Sequence, residues 1–164
     1  PRSTLFPYTT LFRSSMPSAS LIKKIPCSKK NLIEMVLDIE KYPEFVPWCL
    51  GGKIHTKIDK GNIVEITADL TIGKSFFRET YKSFVIYDKS NDLIQVTNIG
   101  GPLKHLKNKW FFKQIDHSSE LDFRIDFELK NKILNILMIK SFDLGLKKIA
   151  DAFEKRANEL FNKT

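Results

Sequence analysis

Asn131–Asn162 reads NKILNILMIKSFDLGLKKIADAFEKRANELFN, and its reading decides the fold. It contains no proline and one glycine, Gly145. Leu134, Met138, Phe142, Ile149, Phe153 and Leu160 recur at helical spacing, with Leu137, Leu146 and Ala157 widening the stripe. Lys147, Asp151, Lys155, Glu159 and Lys163 alternate in sign at four-residue steps on the opposite face, each pair adding a few tenths of a kcal/mol. A helix of this length spans roughly 48 Å at about 1.5 Å per residue. Strands are typically ~17–20 Å long, so it must cross several of them. Ile133–Ile139 is apolar nearly all round, which calls for two apolar neighbours: protein on both sides, or protein on one side and a greasy ligand on the other.

The preceding chain supplies those strands. Ser18–Pro26 is β-like, and Ser28 is a good N-cap for a helix with Leu32, Met35, Val36 and Ile39 on one face. In the bend that follows, Pro43 suits the first turn of a second short helix and Pro47 ends it. Tyr42, Phe45, Val46 and Trp48 crowd this bend as a plug or a lid. Gly51-Gly52 opens a run of strands. Ile54–Ile58 is followed by Val64–Ile72, where Val64, Ile66, Ala68, Leu70 and Ile72 alternate with polar residues. Phe76–Tyr87 points Phe77, Tyr81 and Val85 one way; Leu93–Ile99 and Leu106–Ile115 follow, the latter with Trp110 and Phe112. The last strand points Leu121, Phe123, Ile125, Phe127 and Leu129 inward. The short turns demand an antiparallel meander with one face to be covered. The fold class is therefore α+β, a curved antiparallel sheet wrapped around a long C-terminal helix.

Composition narrows the chemistry. A chain of 164 residues is sized for one domain. Its formal charge of +8 is compatible with nucleic acid, an anionic membrane or solubility alone, and acids are interspersed throughout. No uncharged stretch approaches the ~18 residues of a transmembrane helix. Cys27 and Cys49 have no metal-binding spacing and fit reduced, buried thiols. Residues 1–15 repeat a Thr-Leu-Phe motif, lack acids and read as translated adapter sequence, with Met16 as the start of a single domain over 16–164. The alternative is a transit peptide, which Arg2 and Arg13 suit.

No catalytic motif is present. His55, His105 and His117 are flanked by polar residues and read as surface groups. Glu79 shares a face with Phe77 and Tyr81, so it is either a buried acid needing a cationic partner or a sign of shifted register. Gly100-Gly101-Pro102 is a turn or a place where a ligand nears the backbone. Thirteen Phe fill a core, or a core plus an apolar cavity.

Tyr42-Pro43-Glu44-Phe45-Val46-Pro47-Trp48-Cys49, Gly101–Leu106 followed by Trp110 and Phe112, and Ile125–Ile133 together resemble the coenzyme-Q-binding START-like proteins. That family also contains the bacterial ribosome-association toxin. The resemblance covers Met16–Thr164 and implies a helix-grip fold with a hydrophobic tunnel. It further implies non-enzymatic binding of ubiquinone or a similar polyisoprenoid lipid in support of respiration, with no metal. It places Pro43, Phe45, Pro47 and Trp48 at the tunnel mouth, although members with a smaller residue such as Gly at position 48 differ from this chain. Strand parity and the helical stripe, not the family, nominate Tyr42, Leu70, Ile72, Phe77, Tyr81, Trp110, Phe112, Phe123, Phe127, Met138 and Phe142 as the wall. The alternative function is a toxin that binds the large ribosomal subunit and blocks subunit joining. A third reading, a cyclase-like enzyme, would rest on Glu79. The expected setting is a monomer in the bacterial cytoplasm, touching an anionic inner membrane peripherally; the alternative setting is the mitochondrial matrix.

Overall fold

The structure is a computed structural model that describes residues 18–74 and 76–162. The leader 1–15 lies outside the described residues. Seven strands form one antiparallel sheet: β1 (Ser18–Ile25), β2 (Cys49–Asp59), β3 (Ile63–Lys74), β4 (Phe77–Asp88), β5 (Leu93–Asn98), β6 (Leu103–Ile115) and β7 (Ser118–Leu129). Their spatial order is β1-β7-β6-β5-β4-β3-β2, so the meander runs unbroken from β2 to β7 and β1 closes the far edge. Helix α1 (Lys29–Leu37), a 3-10 turn (Ile39–Glu44) and helix α2 (Lys132–Phe161) complete the chain. Ser28 caps α1 as the sequence indicates, its Oγ accepting from the Asn31 N–H at 3.1 Å. Asn131 caps α2 by accepting from the amides of Ile133 and Leu134 at 3.0 and 3.1 Å.

Several boundaries depart from the sequence reading. Ile39 belongs to the 3-10 turn rather than to α1, and Pro43 sits inside that turn instead of opening a helix. Strand β2 begins at Cys49, so Gly51-Gly52 lies within it. A Cβ at Gly52 would collide with the Ile39 carbonyl oxygen, and only glycine lets the turn lie this close to the strand. Strand β6 begins at Leu103, lengthened by a bulge between Leu103 and His105. Strand β4 begins at Phe77, leaving Phe76 fully exposed in the hairpin.

The core lies under the second half of α2. Phe153, 1% exposed, meets Tyr42, Phe45 and Trp110 edge-on, with ring centroids 5.8, 5.0 and 5.7 Å away. Leu146, Ala150 and Ala157 complete the buried stripe. The first half of α2 departs from expectation. Leu134 and Phe142 pack on Leu103, Phe127 and Leu129, but Ile133, Ile136, Leu137 and Leu144 face solvent. Its outer side has no protein neighbour among the described residues.

Candidate functional site

A cavity of about 290 Å³, partly open, lies between the concave face of the sheet and the first half of α2. Strand alternation builds its wall. Ala68, Leu70 and Ile72 come from β3, Tyr81, Ser83 and Val85 from β4, and Ile94 and Val96 from β5. Leu103, Leu106, Asn108 and Trp110 of β6 and Ile125, Phe127 and Leu129 of β7 complete the sheet side. Val36, Ile39 and Tyr42 close one end, and Met138 and Phe142 of α2 form the roof. Phe127 and Phe142 meet with ring centroids 4.7 Å apart. Met138, at 42%, is the most exposed of the residues that line the cavity.

Few polar atoms face this space. Tyr42 donates its hydroxyl proton to the Val36 carbonyl, and full burial pushes its phenol far above the ordinary range. Asn108 accepts from Trp110 Nε1 at 2.6 Å and donates to the Arg124 carbonyl at 3.0 Å. Both of these groups are committed to the wall. Burial also raises the Tyr81 phenol, and the nearby Glu79 carboxylate adds to the shift. Glu79 does share the inward face with Phe77 and Tyr81. It lines a smaller adjoining pocket of about 150 Å³ with Phe77, Pro102, Lys130 and Leu134.

Of the residues nominated from the sequence, the cavity brings together Tyr42, Leu70, Ile72, Tyr81, Trp110, Phe127, Met138 and Phe142, and Phe77 stands in the adjoining pocket. Six are placed elsewhere. Phe112 and Phe123 point inward, but they belong to the packed core cluster; Phe123 lies edge-on to Trp110 at 4.7 Å. Phe45 packs on Phe153 beneath the Arg156 guanidinium. Pro43 is exposed and Pro47 half-buried, neither touching the cavity. Trp48 adopts φ of +63°, a conformation natural to glycine and strained for tryptophan. Its ring rests 3.7 Å from the position of a Gly145 Cβ, with the Lys74 and Lys148 ammonium groups 5.7 and 5.9 Å from the ring centroid.

Sequence reasoning passed over Val36, Ile39, Ala68, Ser83, Val85, Ile94, Val96, Leu103, Leu106, Asn108, Ile125 and Leu129. Asn108 was signalled by sharing a strand face with Trp110; the aliphatic residues carried no signal beyond core parity. His55 pairs with Asp69 at 2.7 Å near the surface, and no group of three metal-binding side chains occurs among the described residues. Cys27 and Cys49 are buried free thiols; burial pushes Cys27 up to about 11 and raises Cys49 too. No helix among the described residues is long and apolar enough to cross a membrane.

Comparison with known proteins places this geometry. A ribosome association toxin RatA of Rickettsia prowazekii is 36% identical over 141 residues, covering 84% of this chain and 94% of the toxin. A mitochondrial coenzyme Q-binding protein COQ10 of Dictyostelium discoideum is 29% identical over 144 residues, covering 86% and 69%. An 18 kDa protein of Caulobacter crescentus, known from its solution structure, superposes with a TM-score of 0.75 at 30% identity, covering 90% of this chain and all of that one. A model of the family described as polyketide cyclase/dehydrase and lipid transport matches residues 28–154. The helix-grip architecture and the sequence thus agree, and the chain belongs to the polyketide cyclase/dehydrase and lipid transport family.

Proposed function

We propose that this chain associates with ribosomes in the bacterial cytoplasm and that its cavity separately holds an apolar ligand of the prenyl-lipid class. The ribosomal reading is carried by one observation: the likeness to the Rickettsia toxin runs across 94% of that protein at 36% identity. The sequence had favoured ubiquinone binding over ribosome association; the relatives reverse that order. The convex side of the sheet offers a charged surface of mixed sign, with Asp126 opposite Lys107 and Asp122 paired to Arg124 at 3.0 Å. Lys107 and Lys109 alternate with the inward Asn108, and Arg124 lies opposite Lys109 on the neighbouring strand. Co-sedimentation of the purified chain with ribosomal subunits tests the reading. Three or four phosphate contacts are expected to cost roughly a hundredfold in affinity between ~50 and ~200 mM salt. Lys107→Glu with Lys109→Glu is expected to weaken binding further. Absence of binding even at low salt would remove the proposal.

The cavity favours the second reading. Its volume is at the lower end of the ~300–1,000 Å³ typical of ligand sites, enough for part of a long prenyl chain. Its wall includes no carboxylate, histidine, cysteine or lysine among the described residues, which supports binding without catalysis. Glu79 in the adjoining pocket is the acid that a cyclase-like reaction would have to use among the described residues lining the two pockets. Purification from a quinone-producing host, followed by solvent extraction, is expected to recover a quinone or another prenyl lipid. Protein recovered free of such lipid, and failing to take up added ubiquinone, would contradict this reading.

A further inference from the structure

The outer side of α2 carries a pattern that neither reading uses. Ile133, Leu137 and Leu144 follow at i, i+4 and i+11, one exposed row of aliphatic side chains 73%, 56% and 61% accessible, with Ile136 beside it at 56%. Phe76, wholly exposed, projects from the β3–β4 hairpin. That hairpin reaches the start of α2, because Phe77 and Leu134 line the same small pocket.

Charge is distributed along the helix in the same way. Between residues 130 and 148 stand Lys130, Lys132, Lys140, Lys147 and Lys148 against Asp143 alone, five positive and one negative, or +4. Residues 149–162 hold Lys155 and Arg156 against Asp151, Glu154 and Glu159, or −1. Three of the five charges of the second half are drawn into the fold: Asp151 and Glu154 meet Lys23 at 3.1 and 3.5 Å, and Arg156 meets Glu44 at 3.1 Å. None of these five lysines, four on the helix and Lys130 just before it, forms an ion pair with a described residue.

We propose that the first half of α2, with Phe76, is a docking face for an anionic phospholipid bilayer, and that it sets the Met138 side of the cavity against the membrane. An aliphatic row with Lys140 at i+7 within it and further lysines beside it matches a bilayer interface, where acyl chains take the aliphatic side chains and phosphates the ammonium groups at the ends of the lysine stems. Nucleic acid would use the lysines and leave the aliphatic row in water. A second copy of the chain would bring five lysines against five across a two-fold axis. The purpose of the face rests on the cavity being a lipid site, but docking itself does not.

Flotation with vesicles tests the proposal. The chain is expected to bind vesicles of phosphatidylcholine mixed with phosphatidylglycerol at least about tenfold more tightly than phosphatidylcholine alone, given five cations near the surface. Leu137→Asp with Leu144→Asp changes exposed positions only, so folding should be kept, as a thermal melt will show. This variant is expected to lose vesicle binding by about tenfold or more. Equal binding by the variant and the parent chain, or none by the parent, would overturn the proposal. So would a dimer that the same variant dissociates, or an acidic protein captured in place of vesicles. Phe127→Asp separates the two ideas: it should still dock while failing to hold ligand. A parent chain that loads ligand but does not bind the vesicles would refute the membrane face and leave the cavity reading standing.

Discussion

Phe127→Asp is expected to abolish loading of the cavity. Phe127 is 4% exposed, lies on the cavity wall and meets the Phe142 ring of the roof at 4.7 Å. A carboxylate there has no cation among the groups that line the cavity, so it must either enter uncharged or draw in water. Both outcomes work against an apolar ligand. A loss of one hundredfold or more in affinity, about 2.7 kcal/mol, is expected in titrations with ubiquinone or a short-chain analogue. A circular dichroism melt checks that the variant is folded. Val96→Trp gives an independent arm, since it fills the same space with apolar volume and introduces no charge. Unchanged uptake by both folded variants would show that ligand does not occupy this cavity. Ribosome association, if it uses the convex face, should survive both substitutions.

Phe153→Ala should have the largest effect on stability. Phe153 lies at the centre of the core, edge-on to Tyr42, Phe45 and Trp110, and it ties the second half of α2 to the sheet and to the 3-10 turn. Truncating a buried phenylalanine costs ~3–5 kcal/mol through lost transfer energy and the void left behind. At roughly 2–4 °C per kcal/mol for a chain of this size, the melting temperature should fall by about 10–15 °C. The effect should exceed that of Phe142→Ala, because Phe142 already borders empty space and is half-buried. Similar melting shifts for the two would mean that the two halves of α2 are held equally, contrary to their packing.

The division within α2 also separates what could be read in advance from what could not. Alternation in β3 and β7 is clean and puts Leu70, Ile72 and Phe127 on the face that lines the cavity, where Tyr81 of β4 joins them. In β4 the sequence leaves Glu79 open between a buried acid and a shifted register, and the structure finds it inward beside Phe77 and Lys130. Strand β5 is only six residues long and β6 carries a bulge, so Val96, Leu103, Leu106 and Asn108 were not singled out. Parity was right for Phe112 and Phe123 too, but parity does not say how far along a strand the roof lifts away. The bend at Pro43–Trp48 shows the other difficulty. Its motif supports the family resemblance, yet Phe45 is spent on Phe153 and Trp48 on the Gly145 surface, away from the cavity.

By itself the sequence determined the element order, the antiparallel meander, the inward face of most strands and the length of the helix that covers them. Those follow from local periodicity and turn chemistry, which neighbouring residues encode. Only the tertiary structure decided where the covered face is packed and where it is hollow. That depends on the curvature of seven strands and on the height at which α2 crosses them. It also decided that the apolar outer side of α2 has no protein partner among the described residues, because exposure depends on what the rest of the chain leaves uncovered.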